Sequence, residues 1–109
     1  LARLSAILLL ASAILCSGCR DSANAECVRV CKETGACRRA ARQDCAAICA
    51  DYASLDQAAG CAPQFAALLS CQSDLPNVCK SGPCEPALNA WRACLDPYCQ
   101  KNPATPGCK

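Results

Sequence analysis

The sequence predicts an all-α fold: a small disulfide-rich protein of two helical hairpins behind an N-terminal signal segment. Three observations predict it. Fourteen of the 109 residues are cysteine, which marks a disulfide scaffold or a metal-thiolate protein. Most of these cysteines fall into twin pairs, C-x3-C twice and then C-x9-C twice. Ahead of them lies an apolar run, Ala6 to Leu15, preceded by Arg3. That run is too short to cross a bilayer as a helix and has the length of a signal-peptide core.

The N-terminal segment, residues 1–25, reads as signal peptide and short linker, and two maturation sites are open. Cys16-Ser17-Gly18-Cys19 resembles a bacterial lipobox, with Cys19 as the lipidated first residue of the mature chain; Cys16 stands where that motif usually has leucine. The other site is the A-x-A pattern Ala23-Asn24-Ala25, which leaves Glu26 first. Either way the expectation is export: a cell-envelope lipoprotein, or else a periplasmic or secreted protein. Setting aside Cys16 and Cys19 leaves Cys27, Cys31, Cys37, Cys45, Cys49, Cys61, Cys71, Cys79, Cys84, Cys94, Cys99 and Cys108. This even set suits six disulfides in an oxidising compartment.

The first hairpin spans residues 26–57. It holds Cys27-x3-Cys31, a 13-residue gap, and Cys45-x3-Cys49. Residues four apart share one helical face. Two such pairs on antiparallel helices make two rungs, Cys27–Cys49 and Cys31–Cys45. Ser22 or Asn24 is the expected cap of the first helix and Gly35 its stop, with a second helix from Ala40 to Leu55. The loop between them carries Cys37, Arg38 and Arg39.

The second hairpin spans residues 58–109 and contains an internal repeat. CAPQFAALLSC (61–71) aligns with CEPALNAWRAC (84–94) at an offset of 23, matching Phe65 with Leu88 and Leu68 with Trp91. Pro63 and Pro86 sit where a first helical turn accepts proline. Leu75-Pro76 and Asp96-Pro97 mark the expected helix ends, because a residue before proline avoids the helical region. The same rung logic gives Cys61–Cys94 and Cys71–Cys84. Three pairings then remain for Cys37, Cys79, Cys99 and Cys108. In one of them Cys99–Cys108 closes the Pro-rich tail and Cys37–Cys79 joins the hairpins. Trp91 is expected to pack between the two helices of this half.

Twin C-x3-C and twin C-x9-C spacing resembles the helical-hairpin proteins of the mitochondrial intermembrane space, through Cys27, Cys31, Cys45 and Cys49 and, separately, Cys61, Cys71, Cys84 and Cys94. Those families lack a cleaved secretory signal, so the spacing is read as the same physical solution reached separately. As a whole the layout resembles the small cysteine-rich lipoproteins of delta-type (myxobacterial) bacteria, which implies a compartment and no activity. Energetics favour such staples. Few large apolar residues lie in the second and third quarters of the chain, small domains bury little surface, and isolated helices under about 12–15 residues are marginal in water. A disulfide closing a loop of about 15 residues contributes roughly 3 kcal/mol.

The residues argue against an enzyme. Histidine is absent from the sequence, which removes Ser/His and Cys/His nucleophile pairs and the commonest metal ligand. Asp51 and Asp56 are the nearest thing to paired carboxylates and read as solvated helix faces. The five glycines are scattered, with no phosphate-binding loop. Zinc is disfavoured because the C-x2-C spacing occurs only at Cys16/Cys19. No cofactor is expected. A net charge of +2 gives no case for nucleic acid. The expected role is a non-enzymatic envelope or secreted protein, structural or interaction-mediating, with a membrane tether at Cys19 and an unspecified protein partner. Two alternatives stand. A copper(I)-thiolate store would use the C-x3-C pairs. A secreted α-hairpin effector (toxin, antimicrobial or protease inhibitor) would use the loop 35–42, GACRRAAR. By default, the basic cluster Arg38, Arg39 and Arg42 is a solvated face.

Overall fold

The structure, a computed structural model, describes residues 17–37 and 43–109, with side chains from Ser22 onward in the first segment. Every regular element among these residues is helical: α1 (Ser17–Cys37), α2 (Cys45–Ala59), α3 (Ala62–Asp74) and α4 (Glu85–Lys101), with a 3-10 turn at Gly82–Cys84 leading into α4. The apolar run Ala6–Leu15, expected to be a signal-peptide core, lies outside the described residues, as do Arg3, Cys16 and the loop residues Arg38, Arg39 and Arg42. So does the side chain of Cys19, whose backbone belongs to the first turn of α1. No described helix is long and apolar enough to cross a membrane.

Local chemistry sets the helix ends, and several differ from expectation. Ser22 and Asn24 are inside α1, which begins at Ser17, so the residues read as a linker are helical. Gly35 does not stop α1 either. An interior glycine costs only about 1 kcal/mol, and two constraints hold the following turn: the Cys37–Cys79 bridge and Thr34 Oγ1, which donates to the Val30 and Cys31 carbonyls. The second helix starts later than Ala40, because Asp44 caps it: its Oδ1 accepts from the Ala47 N–H at 3.0 Å. At its far end Gly60 adopts φ 72° and returns its N–H to the Asp56 carbonyl, a left-handed cap that glycine takes without a Cβ penalty. Helix α3 follows after Cys61, with Pro63 in its first turn. It ends as expected, at Leu75 with ψ 132° before Pro76.

Helix α4 runs through Pro97 to Lys101 rather than stopping at Asp96. Proline in a helix interior forfeits one hydrogen bond and costs about 3 kcal/mol. The turn beyond it is held all the same, because Tyr98 and Cys99 pack against the core and Cys99 is bridged to Cys108.

The core has two connected parts. One gathers Leu55, Cys61, Leu68, Cys84, Trp91 and Leu95 from α2, α3 and α4. The other gathers Cys27, Val30, Cys49 and Leu69 from α1, α2 and α3. Tyr52 and Phe65 pack against both. Trp91 therefore does not sit only between the second-half helices. Its ring meets Phe65 of α3 at 4.9 Å and Tyr52 of α2 at 5.2 Å, edge-on at 86°, an arrangement aromatic quadrupoles favour. On the surface Arg29 donates to Ser73, and Ser73 donates to Glu26, which ties α1 to α3.

Candidate functional site

The cysteines are the first candidates. The structure brings Cys27 to Cys49 and Cys31 to Cys45, two rungs between α1 and α2. Cys61 meets Cys94 and Cys71 meets Cys84, the corresponding rungs linking α3 to α4 and its leading turn. Of the three pairings open for the remainder, the one present joins Cys37 to Cys79 and Cys99 to Cys108. Cα separations run from 5.3 to 6.0 Å, the span that disulfide geometry allows. No free cysteine remains among those described, and no three described acidic or cysteine side chains converge as a metal-binding group.

The second candidate is a groove of about 330 Å³ between the start of α1, the end of α2 and the start of α3. Helix α1 contributes Ala23, Asn24 and Cys27. Helix α2 contributes Cys49, Ala53, Ser54, Asp56 and Gln57. Helix α3 contributes Ala62, Phe65, Ala66 and Leu69. The alanines are what make the space: a face of small side chains cannot fill the gap between helices set by the larger core residues. Its size is that of a small-ligand pocket.

Asp56 is the chemically distinctive residue of this groove, and it corrects the sequence reading. It is not on a solvated face. It is 2% exposed, whereas Asp51 is exposed. The Trp91 indole N–H donates to Asp56 Oδ1 at 2.7 Å. Oδ2 has no hydrogen-bond partner. Burial pushes the carboxyl above its usual value of 3.8, against the Trp91 hydrogen bond, which lowers it. The direction follows from desolvation: removing a carboxyl from water penalises its charged form.

The sequence did contain a signal for this. Cys45, Cys49, Tyr52, Asp56 and Ala59 recur at intervals of three and four along α2, a helical stripe that places Asp56 on the inward face. Of the segment 35–42, the expected functional loop of the effector alternative, only Gly35, Ala36 and Cys37 are described, all within α1. The chain matches no family model, no curated protein and no solved structure.

Proposed function

We propose that the protein is a non-enzymatic, exported cell-envelope protein, tethered by lipid on Cys19, whose four-helix scaffold serves a structural or interaction-mediating role. The supporting observation is the complete pairing of the twelve described cysteines. Disulfides at this density persist in oxidising compartments and are reduced in the cytosol. Paired sulfurs are also unavailable as thiolates, so this reading stands ahead of a copper(I) store, which needs deprotonated thiols. The apolar run before Cys19 supplies the export route.

The test is the intact mass of the mature protein from its native envelope after thiol alkylation, with and without reduction. Twelve cysteines that alkylate only after reduction, with acyl mass on Cys19, are the expected result. Free thiols in the unreduced protein would overturn the scaffold reading. A mature chain that begins at Glu26 without acyl mass would overturn the anchor.

A further inference from the structure

We propose that the groove between α1, α2 and α3 is a binding site for a single-chain amphiphile with a protonated amine head, Asp56 acting as its counter-ion. The walls specify the apolar part. Phe65, Leu69 and the Cys27–Cys49 disulfide give it an apolar surface, and Ala53 and Ala66 leave it open. The carboxyl specifies the head. An indole N–H can only donate and carries no charge, so Trp91 satisfies one oxygen of Asp56 and neutralises nothing. The second oxygen has neither donor nor countercharge. A buried carboxylate is costly unless it is paired. An ammonium supplies donor and charge together. An alcohol supplies the donor alone, and a carboxylate-headed amphiphile adds a second negative charge. The Phe65 ring in the same wall also favours a cation.

This inference rests on the lipoprotein reading, because maturation at Glu26 would remove Ala23 and Asn24 from the wall. An anchor at Cys19, one helical turn before Ala23, also sets the groove close to the bilayer, where single-chain amphiphiles concentrate. Solvent does not touch Oδ2, so the head group reaches it by displacing side chains of the groove wall. Trp91, hydrogen-bonded to Asp56 and packed on Phe65, reports that displacement. It is the sole tryptophan of the chain.

The experiment uses the mature chain, residues 19–109, carrying Cys19→Ser, so that no attached acyl chain competes, purified oxidised and without detergent. Decylammonium, 1-decanol and decanoate are titrated below their micellar range, and Trp91 emission is followed. The expected result is saturable one-to-one binding of decylammonium, at least about tenfold tighter than of either comparator. It weakens at least about tenfold in Asp56→Asn, as truncating one member of a buried charge pair does. Ala66→Phe fills the groove, leaves the Asp56–Trp91 bond in place and is expected to abolish binding. Equal binding of decanol and decylammonium, unweakened binding in a disulfide-intact Asp56→Asn protein, or no saturable binding overturns the proposal. If Asp56→Asn does not fold, unweakened binding by Ala66→Phe overturns it. Finding no acyl group on Cys19 in the envelope protein removes the anchor and leaves this in vitro result standing, so the two failures are distinguishable.

Discussion

Asp56 contributes more to stability in acid than at neutral pH, and Asp56→Asn removes that contribution's dependence on pH. The carboxyl is 2% exposed, and burial raises its folded pKa above the usual 3.8. Between 3.8 and the folded value, the native protein keeps a proton that the unfolded chain has released. Unfolding then releases that proton, so stability falls as pH rises through this window. One proton sets the steepest slope at about 1.4 kcal/mol per pH unit. Above the folded value both states are ionised and the term is constant; below 3.8 both are protonated and the contribution is fully present. Against a total stability of about 5–15 kcal/mol, one such slope is measurable. The assay is denaturant unfolding of the oxidised protein, followed by Trp91 emission, from about pH 4 to pH 8. The wild-type advantage over Asp56→Asn is read at each pH, which cancels the titration of all other groups. The advantage shrinks with rising pH and then levels. A constant difference, or one that grows in favour of the wild type, would refute the argument that desolvation outweighs the Trp91 hydrogen bond.

Three further outcomes follow from individual contacts. Trp91→Phe keeps an aromatic body but leaves both Asp56 oxygens without a donor, and is expected to cost about 1–3 kcal/mol in thermal unfolding monitored by circular dichroism; no loss would show that the bond to Asp56 contributes nothing. Gly60→Ala meets open space at φ 72° and costs about 1–2 kcal/mol of left-handed backbone strain. Gly107→Ala carries a similar strain at φ 92° and also places its Cβ 3.0 Å from Leu55 and 3.3 Å from Tyr52, so it is the more damaging of the two; the reverse order in melting temperature would refute the packing of the tail. Replacing Cys71 and Cys84 together by alanine opens a loop of sequence separation 13 and lowers stability by about 3 kcal/mol, with the other five bridges unchanged in peptide maps.

The sequence made the helical class and the rungs legible because both follow from local periodicity. A C-x3-C pair fixes which helical face a bridge leaves from, so twin pairs admit few antiparallel registers. Helix ends were less legible wherever a tertiary restraint acts on the last turn. Gly35 and Pro97 each weaken a helix, and each is followed within two residues by a bridged cysteine, Cys37 or Cys99, that holds the turn. The reach of Trp91 to α2 was hidden for a similar reason. The internal repeat concerns α3 and α4 alone, whereas the Tyr52 and Asp56 partners come from the other hairpin. For Asp56 residue type and position disagree: a carboxylate suggests a solvated face, while its place in the α2 stripe puts it on the inward face. The groove had no sequence signal of its own, since alanine is as common on exposed helix faces as beside cavities.

The distribution of bridges explains why the groove lies where it does. Helices α2 and α3 are joined at one end by the Gly60–Cys61 turn. At the opposite end α1 is bridged to the α3–α4 connection through Cys37 and Cys79. The two rungs between α1 and α2 are at Cys31–Cys45 and Cys27–Cys49. The turn of α1 that precedes Cys27, with Ala23 and Asn24, forms one wall of the groove. Staples set helix separation near each rung; away from them separation depends on side-chain volume. On that stretch the facing residues are Ala53, Ala62 and Ala66, with Asp56 among them. Small side chains cannot close the gap left by the last rung, and the buried Asp56 carboxyl lies behind its wall. Five of the six described disulfides hold the rest of the fold, while the Cys27–Cys49 rung serves as the floor from which the groove opens.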